Sequence, residues 1–275
     1  MVGSLRSVTR GRTATVLTQR WDGQALHRRP DRLIVEEPLE VHLDGHLVGT
    51  TMRTPGHDFE LAVGLVHGDG LLAGAEVRSC RYCATGSAVE SGFNVVSVDT
   101  GGVAPIPSPR VAAGTSACGM CGSTEIETMR ERMTALPPSA PWDVGALVKM
   151  PATIGPDQEL FARTGAVHAA AAFERDGSVR VLREDIGRHN SVDKVVGRLL
   201  LDGALPATDL GLFVSARAGF EIVQKAWAAG FGAVVSVSAP SGLAVEAARQ
   251  AGLTLVGFVR GDPPSANVYS PEPAG

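Results

Sequence analysis

Between residues 210 and 260 short apolar runs alternate with amphipathic segments, and this alternation constrains the fold more than any other feature. The runs LGLFVSA (210–216), GAVVSVSA (232–239) and LTLVGFVR (253–260) have the near-continuous apolar character of strands buried on both faces. GFEIVQKAWAAG (219–230) and SGLAVEAARQAG (241–252) lie between them with helical spacing. Each closes on glycine, and Ser241 is placed to cap the second. Strands joined by crossover helices of this length run parallel with right-handed connections. The expected class is therefore α/β.

Ligands of open parallel sheets bind beyond the carboxyl ends of the strands. Here those ends carry Ser215 and Arg217, then Ser236, Ser238 and Ser241, then Arg260 and Gly261. Two arginines, several hydroxyls and the start of a helix favour a phosphate-bearing ligand. The plainer alternative is that the serines cap helices and the arginines are solvated.

The rest of the chain is less regular. Residues 1–30 read as a loose, arginine-rich lead-in. RLIVEEPLEVHLDGHLVGTTMRT (32–54) alternates around Asp44-Gly45 and predicts two strands in a hairpin. GHDFELAVGLVHGDGLL (56–72) predicts a short helix, and FNVVSVDT (93–100) another strand. Pro105, Pro107 and Pro109 oppose both helix and central strand, so residues 100–117 read as a mobile connector between two halves. LPPSAPW (136–142) is expected to end a helix that follows the next cysteine pair. No internal repeat is evident.

With 44% hydrophobic residues over 275 positions, the chain has the material for a sizeable core. Its net charge of -4 argues against broad binding to nucleic acid. No apolar run approaches the roughly 20 residues a membrane helix needs, and the N-terminus lacks the apolar centre of a secretory signal. A cytoplasmic setting is expected, where free thiols persist.

Against this apolar background, REDIGRHNSVDKVVG (183–197) is the densest polar run. A helix starting near Arg188 would stack Asn190 and Lys194 on one face. The mixture of charge pairs, glycine and a titratable ring reads as a site more readily than as solvated surface. His168, in TGAVHAAAAF, has the apolar flanks of a core histidine with a satisfied nitrogen, a catalytic role being the alternative.

The four cysteines form two pairs, Cys80-x-x-Cys83 and Cys118-x-x-Cys121. Three readings are open. A four-thiolate zinc ribbon fits the count, but the 34 residues between the pairs are long for it. A thioredoxin-like couple wants a strand directly before the pair. In the third, a helix beginning near Ser123 favours thiolate at its N-terminus. Such a thiolate can take up sulfane sulfur as a persulfide, and the second cysteine can receive it or help release it.

The motifs TSACGMCG (115–122), TGAVHAAA (164–171), REDIGRHNSVDKVVG (183–197), SARAGFEIVQKA (215–226) and SAPSGLAVEAARQAGLTLVGFVRG (238–261) together resemble the FdhD/NarQ family of formate dehydrogenase accessory sulfurtransferases. EEPLEVHLDG and RTPGHDFELAVG also fit, so the likeness spans about 33–261. The resemblance implies a cytidine-deaminase-like three-layer α/β domain with a smaller N-terminal α+β domain. The corresponding division is a flexible segment at 1–30, a small α+β domain at 31–108, and a deaminase-like domain at 109–275 carrying the CxxC loop and cofactor site. It implies a carrier that takes persulfide sulfur from a cysteine desulfurase. The acceptor is the molybdenum or tungsten bis(molybdopterin guanine dinucleotide) cofactor of formate dehydrogenase, bound as substrate with no permanent cofactor and no resident metal. Cys118 is then the persulfide carrier and Cys121 its assistant. The cofactor would meet Phe258, Val259, Arg260, Gly261, Asp262 and Pro263, with Arg217, Ser238 and Asn190 beside them. A homodimer is expected, with no nucleic-acid or membrane partner. Ala170 stands where a deaminase needs its glutamate, so the scaffold is expected without deamination. The alternative reading is a zinc-stabilised chaperone that binds the cofactor without transferring sulfur.

Overall fold

The computed structural model describes residues 11–83, 87–107 and 134–271. Its strands are β1 (Thr13–Trp21), β2 (Leu26–Ile34), β3 (Glu37–Leu43), β4 (His46–Arg53), β5 (Ser79–Tyr82), β6 (Val95–Asp99), β7 (His168–Phe173), β8 (Val179–Asp185), β9 (Gly211–Val214), β10 (Ala233–Ser236), β11 (Thr254–Gly261) and β12 (Pro264–Ser270). The helices are α1 (Asp58–Gly68), α2 (Val144–Leu147), α3 (Met150–Ile154), α4 (Glu159–Thr164), α5 (Arg188–Leu201), α6 (Phe220–Ala228) and α7 (Gly242–Ala251). The mixed α/β class expected from sequence is observed. No helix among the described residues is long and apolar enough to cross a membrane.

The strands form three sheets: β1-β2, then β4-β3-β6-β5, then β12-β11-β10-β9-β7-β8. In the largest, β9, β10 and β11 run parallel, while β7 and β12 are antiparallel to their neighbours. The alternation read between 210 and 260 is thus realised as parallel strands with crossover helices. Ser241 accepts a hydrogen bond from Ala244 N at 3.2 Å, and Gly252 ends α7 in the left-handed region as a stop residue should.

Side-chain alternation along these strands builds two cores. Ala170, Ala172, Leu212 and Val214 face α5, α6 and α7. Ala171, Phe173, Phe213 and Val235 face α2 and α3 on the other side. The central strands are thus apolar throughout because neither face meets water. In the four-stranded sheet, Asp44 (φ 48) and Gly45 (φ 83) make the two-residue turn that the hairpin motif predicted.

The stretch read as a loose lead-in is structured from Thr13 onward. Nine cross-strand pairs join β1 to β2, from Thr13↔Ile34 to Trp21↔Leu26. Asp22 closes the turn by accepting from Gln24 N and Ala25 N, both at 2.9 Å. The part of the proline-rich connector within the described residues, up to Pro107, forms no helix or strand. The expected helix after the second cysteine pair lies outside them.

The two larger sheets are joined by α1 lying across α5. A Cβ on Gly64 would stand 1.8 Å from Asp193 O, and one on Gly197 would stand 1.8 Å from Glu60 O. Backbone meets backbone at this crossing, and only glycine leaves room. Gly64→Ala and Gly197→Ala are each expected to lower unfolding stability by about 3 kcal/mol or more, measured by urea denaturation. Gly49→Ala, which faces open space, should change it by no more than about 0.5 kcal/mol.

Candidate functional site

The carboxyl ends of β8, β9, β10 and β11 lie at one edge of the six-stranded sheet, and β7 starts there. The edge therefore collects Asp185 to His189, Ser215 and Arg217, Ser236 to Ser241, the end of β11, and His168. The β10–α7 loop is tied to its neighbours on both sides. Ser236 Oγ donates to Ala216 O at 2.6 Å, Ser241 N donates to Ala218 O at 3.1 Å, and Phe258 N donates to Ser238 O at 3.2 Å. Ser215 Oγ accepts from Ala169 N at 2.8 Å, fixing the start of β7. Part of the hydroxyl set predicted for a ligand thus holds the loops that shape the edge.

Phe258 to Pro263 occupy the end of β11 and the turn into β12. Register slips between Gly257↔Asn267 and Arg260↔Ser265, which leaves Phe258 and Val259 opposite a single partner residue. This is a bulge, and it sits where bulges re-aim side chains. Phe258 has φ 53, the left-handed region, and is 42% exposed, whereas Val259 is buried. Arg260 is exposed and crosses back over the neighbouring strand end, donating from Nη1 to Val259 O at 2.8 Å and to Val237 O. Asp262 and Pro263 are exposed in the turn, and Arg217 is exposed beyond β9. Arg217, Ser238 and residues 258–263 are therefore neighbours on this edge. Cys118 and Cys121 lie outside the described residues.

Asn190, expected beside the cofactor, is hydrogen-bonded behind the edge. Its Nδ2 donates to Met52 O at 2.7 Å and to Asp185 Oδ1 at 3.0 Å, while its Oδ1 accepts from Thr51 Oγ1 at 3.1 Å. The amide is consumed by the joint between the two larger sheets. Lys194 shares that joint, donating to Asp185 Oδ2 at 2.6 Å and Thr54 O at 2.9 Å. Asp185 also accepts from Thr54 N and Gly187 N. Asn190 and Lys194 do share a helix face, as their spacing required, but the face is buried against residues 51–54. Burial lowers the Lys194 pKa, and the facing Asp185 carboxylate opposes that shift.

His168 is half-buried at the mouth of the edge and its ring has no hydrogen bond among the described residues, unlike the satisfied core histidine expected. Burial lowers its pKa, the positive charges of Arg188 and His189 add to that, and Asp185 opposes it. At neutral pH the ring is uncharged and able to give or take a proton. His189 Nε2 lies 2.8 Å from Glu221 Oε2, bridging the first turns of α5 and α6. One helical turn deeper, Lys225 Nζ donates to Asp193 Oδ1 at 2.6 Å. Burial pushes the Asp193 carboxyl up to about 6 even with Lys225 beside it. The sequence reading did not find this ladder. Its signal was the i, i+4 spacing of His189 with Asp193 and of Glu221 with Lys225, with opposite signs on the two helices.

Cys80 lies on β5 against the smaller core, and burial pushes its thiol up to about 11. It behaves there as a small apolar side chain. Among the described residues no group of three or more His, Cys, Asp or Glu side chains is placed to hold a metal ion.

Residues 34–274 match the model of the FdhD/NarQ family. The chain belongs to the FdhD/NarQ family. It is similar to the sulfur carrier protein FdhD of Nocardia farcinica, with 46% identity over 248 residues, 88% of each chain. The sulfur carrier protein FdhD of Mycolicibacterium paratuberculosis is 44% identical over 270 residues, 96% of this chain and 97% of that one. Among solved structures, a formate dehydrogenase accessory protein from Desulfotalea psychrophila superposes with a TM-score of 0.76 over 94% of this chain and 97% of that chain. At 22% sequence identity that likeness shows a shared fold. Within the FdhD/NarQ frame, the polar edge and the joint behind it are two of the places where the described residues concentrate charge.

Two outcomes follow from the joint. Lys194→Met and Asp185→Asn should each lower stability by about 3–5 kcal/mol, because each strands a buried partner. In a double-mutant cycle the combined loss should fall well below the sum. Glu60 receives two hydrogen bonds from Arg183, one of them at 2.8 Å, and lies 3.4 Å from His57 Nδ1. Burial works against its charge, but Arg183 and His57 outweigh that and hold the carboxyl down to about 2, against an ordinary 4.5. Its folded pKa is depressed, so its contribution is full above the ordinary value and is lost as pH falls from there towards 2. Urea titrations between pH 3 and pH 7 (a range of ordinary buffers, about 4 units) should show Glu60→Gln with a shallower acid limb than the wild type.

Proposed function

We propose that this chain is a sulfur carrier for formate dehydrogenase maturation. In this reading Cys118 accepts persulfide sulfur from a cysteine desulfurase, and Cys121 assists. The acceptor is the molybdenum or tungsten bis(molybdopterin guanine dinucleotide) cofactor of formate dehydrogenase, bound as substrate. The observation that carries the reading is the convergence of Arg217, Ser238 and residues 258–263 on one strand-end edge, in a chain whose relatives are named sulfur carriers. Such an edge suits a ligand bearing phosphates and purine rings, with arginines for the phosphates and Phe258 for an aromatic face.

The loading step follows from thiol chemistry. The Cys118 thiolate bonds to the outer sulfur of the donor persulfide, and the donor's cysteine leaves as its own thiolate. His168, neutral and open at the edge, supports proton transfer when the sulfur moves on. The strand order β8-β7-β9-β10-β11, with β7 antiparallel to both neighbours, supports the deaminase-like reading of the larger body. Ala170 is buried within that sheet, so the position where a deaminase carries its proton-moving glutamate is core here. The desulfurase, formate dehydrogenase and a second copy of the chain are the proposed partners.

Intact-mass measurement after incubation with a cysteine desulfurase and cysteine should show thiol-reversible additions of about 32 Da, one sulfur each. Cys118→Ala/Cys121→Ala should lose them. No addition on the wild type, or unchanged loading without both cysteines, sinks the reading. Arg217→Ala and Arg260→Ala should load normally but bind GDP, a probe for the cofactor's nucleotide, about ten-fold more weakly each. Zinc at one equivalent, lost on substituting either Cys80 or Cys118, would instead favour a metal-stabilised chaperone.

A further inference from the structure

The edge carries a titratable pair that the sulfur chemistry described so far does not use. His189 and Glu221 stand in the first turns of α5 and α6, and their side chains are 15% and 14% exposed. His189 Nε2 lies 2.8 Å from Glu221 Oε2. A bare nitrogen lone pair would be repelled by a carboxylate at that distance, so Nε2 carries the ring proton. The basic nitrogen is then Nδ1, which has no hydrogen bond among the described residues. Two features set this pair apart from a helix clamp. One turn deeper, Lys225 and Asp193 already join the same two helices at 2.6 Å. The His189 pair instead sits at the strand ends, where its charge and that of Arg188 both reach the half-buried His168 ring. A base whose other nitrogen is held by a carboxylate is the arrangement that activates a weak nucleophile.

We propose that His189 is the acid–base residue of sulfur release, and that Glu221 is the positioning residue that holds its ring. The assignment rests on the sulfur-carrier reading, since sulfur handed to a ligand at this edge is released where His189 opens. The step balances without an outside reductant. In its neutral form His189 takes the proton of the Cys121 thiol at Nδ1. The Cys121 thiolate bonds to Cys118 Sγ, and the bond from Cys118 Sγ to its outer sulfur breaks. That sulfur leaves with the bond's electron pair, takes the proton back from the imidazolium and emerges as hydrogen sulfide. The two cysteines end as a disulfide, so their oxidation matches the reduction of the outer sulfur. The charged or titratable groups around the ring among the described residues are Arg188 and Asp193 on its own helix, Glu221 on α6 and His168 on β7.

The test is single-turnover release from the persulfide-loaded full chain, with no reductant or acceptor added. Sulfide is followed by colorimetry and the chain by intact mass, and each rate is taken per sulfur loaded. The wild type should lose its added sulfur and end about 2 Da lighter than the reduced chain. An ordinary thiol, with a pKa of about 8.5, is only about 3% ionised at neutral pH. His189→Ala should therefore release sulfide about 30-fold more slowly there, and Glu221→Gln about 10-fold more slowly. At about pH 10 the thiol ionises unaided, and both deficits should close. Free imidazole should restore His189→Ala at neutral pH. A deficit that neither alkaline pH nor imidazole relieves marks a structural role and overturns the proposal. Release by both variants at the wild-type rate overturns it too, as does a loaded wild type that keeps its sulfur or loses it without forming the disulfide. A wild type that takes up no sulfur at all sinks the sulfur-carrier reading and this proposal with it.

Discussion

The structure depends on one buried ion pair. Asp185 ends β8 and Lys194 lies two turns into α5, and both side chains are fully shielded from water. Burying two charges costs several kcal/mol each unless their remaining hydrogen-bonding capacity is met. Here Thr54, Gly187 and Asn190 supply the missing partners, and two of those three belong to the segment that follows Asp185 itself. The result has directional requirements that an apolar contact lacks. It fixes how the small sheet sits against the large one, and the Gly64–Gly197 crossing allows the approach that the pair demands.

The same arrangement separates polar chemistry into two zones with different solvents. Inside the joint, the side chains of Asp185, Asn190 and Lys194 are hydrogen-bonded to the fold. A few residues away, at the strand ends, His168, Arg217 and Phe258 face outward. Loops at the edge are strapped together by Ser236, Ser241 and Ser215, so the outward groups rest on a braced frame. Preorganisation of this kind lowers the ordering cost of binding a large, charged ligand.

The C-terminal third was legible in the sequence because periodicity, caps and glycine stops all agreed there, and both faces of its strands are buried. The joint was not. The polar run at 183–197 was read as a site because its density is unusual, but a sequence does not say what a polar side chain faces. Its partners at 51–54 lie more than 130 positions away. The partners of Asn190 were not foreseen for that reason, while Arg188 and His189 from the same run do reach the edge. The β1-β2 ribbon was missed because its arginines mask a strand pattern. Its Asp22-Gly23 turn was the available clue. The cysteine segment was legible only through motif resemblance.

Phe258 carries a further consequence. A bulky residue held at φ 53 is in a conformation that a glycine would adopt freely. Folding alone would be better served by removing that ring. Keeping it means that thermodynamic robustness has been traded for an aromatic surface turned to the outside. Attempts to harden this protein by relaxing awkward backbone would therefore remove the aromatic surface from the edge proposed to hold the cofactor.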